Sequence, residues 1–118
     1  MRHPFPMALA ALAAAGSLAA AHAATHHAAP AATHAPKTWT ITITSLAFTP
    51  APSGMRVGDT VQWVNNDIFL HSATAADHSF DVALPPHKTG SAKLTHAGTI
   101  AYVCRYHPGM KGQLVVAP

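Results

Sequence analysis

Hydroxyl-bearing and large apolar side chains alternate along the segment from Thr38 to Thr44. Successive side chains of an extended chain point to opposite faces, so the alternation places Trp39, Ile41 and Ile43 on the same face. The segment therefore predicts a β-strand whose apolar face is buried and whose threonine face is polar.

Further short segments rich in β-branched or aromatic residues follow, and Gly, Pro, Asn and Asp separate them. They lie at residues 48, 55–57, 60–64, 79–82, 91–94, 99–104 and 113–116. No apolar stripe with helical spacing and useful length is present. We expect about seven or eight short strands that form an antiparallel β-sandwich or a small barrel.

The N-terminus resembles a segment that directs export. A positively charged start precedes an Ala-rich apolar run, and Ala21 and Ala23 supply the small residues that a signal peptidase reads. We expect residues 1–23 to be a signal peptide, which predicts a periplasmic mature protein. A transmembrane anchor is disfavoured, because the run from Met7 to Ala21 is shorter and less hydrophobic than the about 20 residues that span a membrane.

Residues 24–37 are rich in His, Ala and Pro and contain no large aliphatic or aromatic side chain. Such a segment cannot join a hydrophobic core, so we expect a disordered linker at 24–37 and a folded domain at 38–118. The linker histidines are His26, His27 and His34. They could capture a metal ion, or they could be incidental residues of a solvated tail.

Length, composition and charge restrict the possible functions. A chain of 118 residues with one cysteine allows one small domain and no internal disulfide, which excludes a large multidomain enzyme. The net charge of +3 is small and scattered, so nucleic acid is not an expected partner. Ten histidines against four acidic residues point to metal chemistry, because His is the commonest metal ligand.

Cys104, His107 and Met110 follow one another at intervals of three residues between the last two predicted strands. Alternation along the preceding strand directs the Cys104 side chain inward. Thiolate and thioether are soft donors that favour copper, whereas structural zinc sites normally use only Cys and His. The loop therefore predicts a copper site.

A second imidazole is available at His71, which follows the predicted strand that contains Trp63. A loop there could carry His71 to the same end of the sandwich as the Cys104 loop. His78 is the nearest alternative, but it adjoins the next predicted strand. The candidate metal ligands are His71, Cys104, His107 and Met110.

Several motifs of the domain, in this order, resemble those of cupredoxins, the small type 1 blue copper proteins that include amicyanin, pseudoazurin and plastocyanin. They are Val57-Gly58-Asp59-Thr60-Val61-Gln62-Trp63-Val64-Asn65, His71 with a following hydroxyl residue, Gly98-Thr99, and Cys104-x-x-His107-x-x-Met110-x-Gly112. The loop spacing is most similar to that of amicyanin. Two features depart from the family: Leu70 replaces a proline before His71, and the 33 positions from His71 to Cys104 form a short interval.

The resemblance implies an all-β, Greek-key antiparallel β-sandwich that holds one copper ion, with Met110 as the axial ligand. It implies a periplasmic electron-transfer protein rather than an enzyme, in which copper cycles between Cu(I) and Cu(II). A redox protein would dock transiently near His107, and the protein would be a monomer without a membrane span. The expected docking surface includes Leu70, Pro85, Pro86 and Pro108.

Two other classes of function stay open. A periplasmic copper carrier or storage protein would use the same site, and the histidines of the tail would recruit the ion. A small oxidase or reductase would need an open coordination position or a second metal, and the sequence offers neither.

Overall fold

The computed structural model describes residues 33–118, and this part of the chain folds into nine β-strands without a helix. The strands are β1 (Thr38–Thr44), β2 (Ala47–Phe48), β3 (Met55–Arg56), β4 (Thr60–Asn65), β5 (His71–Ala75), β6 (Asp81–Leu84), β7 (Thr89–Lys93), β8 (Gly98–Val103) and β9 (Lys111–Ala117). Within residues 33–118 there is accordingly no helix long and apolar enough to cross a membrane. The expected signal peptide and most of the expected linker lie outside the described residues.

The strands form two sheets, in the orders β2-β1-β4-β7 and β3-β9-β8-β5-β6. The all-β sandwich expected from the sequence is confirmed, but the sheets are mixed rather than purely antiparallel. β1 pairs with β4, and β3 with β9, in parallel orientation. Between β1 and β4 the chain visits β3 in the opposite sheet, and it returns beside β1 in the same direction. The count of nine exceeds the expected number because β5, with the sequence His-Ser-Ala-Thr-Ala, has no large apolar side chain that would show alternation.

One hydrophobic core lies between the two sheets, and the alternating positions of the longer strands supply it. Ile41 and Ile43 of β1 are fully buried, as the sequence pattern predicts, whereas Trp39 on the same face is only partly buried. The ring of Trp63 lies 5.2 Å from that of Phe80 and 5.7 Å from that of Tyr102. Aromatic contacts of this kind add to the hydrophobic stabilisation of a small domain.

A buried carboxylate, Asp59, fastens the segment before β1 to the turn before β4. Its Oδ1 accepts hydrogen bonds from Nε2 of His34 at 2.6 Å and from the backbone N–H of Lys37 at 2.8 Å. Its Oδ2 accepts from Nε1 of Trp39 at 2.7 Å and from the backbone N–H of Arg56 at 3.0 Å. Among residues 33–118, contacts with the domain thus include His34, which stands four residues before Thr38, where the sequence places the domain boundary.

The hydrogen bonds around Asp59 also determine its charge. Burial by itself raises the pKa of this carboxyl group, but the surrounding donors, above all Nε1 of Trp39, outweigh burial and hold the pKa below its ordinary value. A buried carboxylate with this many donors stays ionised and stabilises the fold.

Candidate metal centre

The candidate ligands are delivered by strand ends that meet at one end of the sandwich. His71 is the first residue of β5, and Cys104 directly follows β8. The loop from Cys104 to Met110 connects β8 with β9, which form an antiparallel pair. Its ends are tied together, because the N–H of Cys104 donates to the carbonyl of Met110 at 3.0 Å and the N–H of Met110 donates to the carbonyl of His107 at 3.2 Å.

Three of the four candidate side chains converge. Nδ1 of His71 lies 3.1 Å from Nδ1 of His107. Sγ of Cys104 lies 3.8 Å from Nδ1 of His71 and 3.5 Å from Nδ1 of His107. The Met110 side chain is buried, and its backbone is hydrogen-bonded to the backbones of Cys104 and His107.

The triangle of two nitrogens and one sulfur has the dimensions of a metal site. An ion at its centre would lie about 2.0 Å from each atom, close to the about 2.0–2.3 Å at which imidazole nitrogen and thiolate sulfur bind first-row metals. Two imidazoles and a thiolate, together with the thioether that the buried Met110 could add, form a donor set that suits copper. The residues present therefore fit a copper ion.

Burial differs sharply among these residues. His71 is 0% exposed, and Cys104 and Met110 are each 4% exposed, whereas His107 is partly exposed. The site consequently meets solvent at the His107 ring. The alternative ligand His78 is exposed in the turn between β5 and β6, outside the triangle.

Asp67, which no pattern in the sequence indicates, contacts the candidate ligand His71 directly. Its Oδ2 accepts a hydrogen bond from Nε2 of His71 at 2.9 Å. The backbone N–H of Leu46 is the strongest of the contacts that hold the pKa of Asp67 below its ordinary value. Asp67 stands four residues before His71 in a loop, where that spacing does not predict contact as it would in a helix.

Asn65 and Ser72 support the loops of the site. Nδ2 of Asn65, a fully buried residue, donates to the carbonyls of Phe69 and Leu84 at 2.8 and 2.9 Å, which joins the loop before His71 to the end of β6. The hydroxyl of Ser72 accepts from the backbone N–H of Arg105 at 2.9 Å. These bonds attach both ligand-bearing segments to the sandwich.

Exposed apolar side chains lie in the two loops that carry His71 and His107. The ring of Phe69 lies 6.0 Å from the His107 ring, edge to face. We call this group the His107 surface: Ile68, Phe69, Leu70, Tyr106 and His107. Ile68 is 72% exposed and Phe69 48%, values high enough for direct contact with a partner.

Comparison with known proteins places the chain in a family. A family model described as "Cupredoxin-like domain" matches residues 8–116, so the chain belongs to the cupredoxin-like family. A plastocyanin from Scenedesmus fuscus is 36% identical over 87 residues, which cover 61% of this chain and 88% of the plastocyanin.

The fold of this chain is similar to the folds of solved amicyanin structures. A methionine-to-alanine variant in its Cu(I) form has a TM-score of 0.58 at 27% identity, over 70% of this chain and 85% of the amicyanin chain. A proline-to-alanine variant in its oxidized state has a TM-score of 0.55 at 28% identity, over 65% of this chain and 79% of that chain. The resemblance to cupredoxins of the amicyanin and plastocyanin type, and copper as the expected cofactor, are confirmed.

Proposed function

We propose that this protein transfers single electrons through a type 1 copper site formed by His71, Cys104, His107 and Met110. The triangle of Nδ1, Sγ and Nδ1 atoms carries the proposal, because it joins two imidazoles and one thiolate within bonding reach of one ion. Bound copper would supply the one-electron chemistry by cycling between Cu(I) and Cu(II).

The fold holds these donors in a fixed arrangement. His71 is anchored in β5, and hydrogen bonds across the short loop restrain Cys104, His107 and Met110. A donor set that cannot relax toward the geometry preferred by either oxidation state needs little rearrangement when one electron moves. Rigid placement of the ligands therefore favours fast electron transfer over chemistry on a substrate, and the protein acts as a carrier rather than an enzyme.

The electron leaves and enters through the His107 ring. This imidazole is the part of the site that reaches solvent, and Phe69 packs against its edge. A redox protein with an apolar face docks there transiently, since electron-transfer interfaces are small and weak. Pro85, Pro86 and Pro108 are exposed and extend the apolar surface that the partner contacts.

The first experiment is visible spectroscopy of the copper-loaded protein. We expect an intense thiolate-to-copper band in the Cu(II) form, lost in Cys104→Ser and in His71→Ala. His78→Ala is the matched control and should keep the band, because His78 is exposed in a turn. A colourless Cu(II) form of the unaltered protein would contradict a type 1 site.

The second experiment measures electron exchange between copies of the protein, from NMR line widths in mixtures of the reduced and oxidised forms. We expect Phe69→Asp to slow this exchange at least about tenfold, because a charge beside His107 opposes close approach of two copies. Val115→Asp is the control, since Val115 is 65% exposed on β9, outside the His107 surface. Equal rates in the two variants would exclude the His107 surface as the exchange route.

A periplasmic copper carrier or storage protein is the alternative that uses the same site. One observation weighs against recruitment of copper by the tail: His34, a histidine of the expected linker, is hydrogen-bonded to Asp59 through Nε2. Voltammetry and a chelator assay separate the two functions. An electron-transfer protein gives a reversible one-electron wave and retains copper in both oxidation states. A copper carrier or storage protein instead releases Cu(I) to a chelator.

We propose export to the periplasm on the pattern of residues 1–23. Mass spectrometry of protein recovered from the periplasm of an expressing bacterium tests this location. We expect a chain that begins at Ala24, and an intact N-terminus in the cytoplasmic fraction would contradict export.

A further inference from the structure

The buried imidazole of His71 uses both of its nitrogens. Nδ1 faces Cys104 and His107, while Nε2 lies 2.9 Å from Oδ2 of Asp67. A neutral imidazole carries one proton, and an ionised carboxylate only accepts hydrogen bonds. The proton of His71 therefore lies on Nε2, which leaves the lone pair of Nδ1 free to bind a metal.

Asp67 is itself immobilised by its neighbours. Its Oδ1 accepts from the backbone N–H of Ser45 at 2.7 Å, and its Oδ2 accepts from the backbone N–H of Leu46 at 2.9 Å. Its own N–H donates to Oδ1 of Asn65 at 2.9 Å. Only 12% of the Asp67 side chain is exposed, so the carboxylate cannot swing away from His71.

The turn between β1 and β2 has an unfavourable backbone conformation at the two residues whose N–H groups donate to Asp67. Ser45 and Leu46 have φ angles of 52° and 62°, the left-handed region that residues other than glycine avoid at a cost of about 1–2 kcal/mol each. Such strain persists where the surroundings compensate for it, and here both N–H groups donate to one carboxylate. The turn, Asp67 and His71 thus form one connected support.

We propose that Asp67 is a positioning residue for His71, which holds the ring in its Nε2–H tautomer and places a negative charge behind the ligand. The inference rests on the proposed role of His71 as a copper ligand. A carboxylate that accepts from the far nitrogen of a ligating histidine fixes the ring and makes its other nitrogen a stronger donor. The stronger donor favours Cu(II) over Cu(I), so Asp67 lowers the reduction potential.

The first test uses metal-free protein and ¹⁵N NMR of the histidine rings at about pH 8, where imidazole is neutral. We expect His71 to be the Nε2–H tautomer in the unaltered protein and in Asp67→Asn, whose amide oxygen still accepts a hydrogen bond. Asp67→Ala should give a mixture of tautomers. The control is Asp77→Ala, because Asp77 accepts from Nε2 of His96 at 2.8 Å in an exposed pair away from the candidate ligands.

The second test is voltammetry of the copper-loaded variants. Removal of the charge in Asp67→Asn should weaken the preference for Cu(II) over Cu(I) about tenfold, which raises the potential by about 59 mV. Asp77→Asn should leave the potential unchanged. An unaltered His71 tautomer in Asp67→Ala, together with an unaltered potential in Asp67→Asn, would overturn the proposal.

The two tests separate this inference from the proposed function. A missing thiolate band in unaltered copper-loaded protein counts against the type 1 site, whereas the tautomer of His71 is measured without metal. A normal band combined with insensitivity to Asp67 counts against the positioning role alone.

Discussion

Gly112 lies opposite Tyr102 in the β8–β9 pair, and a Cβ atom at position 112 would overlap the Tyr102 ring. That ring cannot move aside, because it is 1% exposed and packs edge to face against Phe48 at 4.8 Å and Trp63 at 5.7 Å. Gly112 follows the candidate ligand Met110 by two residues. The absence of a side chain at 112 therefore lets β9 close over the core beside the site.

Gly112→Ala should destabilise the domain by about 1 to 3 kcal/mol, because an additional methyl group in a packed core forces side chains or backbone to shift. Urea unfolding followed by tryptophan fluorescence measures the change. Gln113→Ala is the control, since Gln113 is exposed, and it should change stability by less than about 0.5 kcal/mol. Equal effects of the two substitutions would contradict the close packing of Tyr102.

Because of Asp59, we expect the free energy of unfolding to decrease at acidic pH. Its pKa in the folded protein lies below its ordinary value of 3.8, so ionised Asp59 stabilises the fold above that value. This contribution is lost as the pH falls below the ordinary value and through the lower, folded pKa. Asp59→Asn should cost about 2 to 3 kcal/mol at neutral pH and flatten the loss of stability in acid.

Urea unfolding at about pH 7 and at about pH 3 tests this expectation. Asp81→Asn is the control, because Asp81 forms an exposed pair with Arg105 and such a pair contributes little. A pH dependence that is identical in the unaltered protein and Asp59→Asn would show that Asp59 is not the acid-sensitive group.

The bonds from His34 and Lys37 predict where the stable domain begins. A chain that starts at Thr38 lacks both donors to Oδ1 of Asp59 and should be about 2 kcal/mol less stable than one that starts at Thr33. Thermal unfolding of the two chains measures the difference. A third chain that starts at Ala24 serves as the control and should match the one from Thr33. Identical stabilities for all three would place the domain boundary at Thr38.

Met110→Gln should lower the reduction potential. An amide oxygen is a harder donor than a thioether and stabilises Cu(II) relative to Cu(I). A tenfold change in that preference corresponds to about 59 mV, which voltammetry resolves readily. Met55→Leu is the control, because Met55 is buried in β3 in the hydrophobic core, and it should leave the potential unchanged. An unchanged potential in Met110→Gln would show that Met110 is not the axial ligand.

The local pattern of apolar and polar residues was sufficient to predict most of the strands and the buried face of β1. The alternation in Thr38–Thr44 predicts the buried face that Ile41 and Ile43 form. It could not reveal that β1 and β4 run parallel, because strand direction depends on how the chain crosses between sheets. The sequence also did not predict β5 as a strand, because its only apolar residues are two alanines and its neighbours β6 and β8 supply its hydrogen-bonding partners.

The residues of the candidate site also fall into two groups, those that the sequence predicts and those that it does not. Cys104, His107 and Met110 are close in sequence and chemically distinctive, so their spacing alone indicates copper, and His71 follows as the imidazole after the Trp63 strand. Asp67 carries no such signal. Its role depends on contacts with Ser45 and His71, and those contacts form only after β1, β4 and β5 have assembled.

The sequence by itself determined the chemistry of the site, because the only thiol of the chain stands at fixed short intervals from an imidazole and a thioether. Tertiary structure decided which further groups surround it. A carboxylate 37 residues before Cys104 reaches His71, and Asp59 reaches back to His34, because the folding of two sheets against each other brings distant polar groups together. Spacing along the chain specifies the donor atoms of the site. The hydrogen bonds that hold those donors, and their exposure to solvent, depend on packing between residues that are distant in sequence.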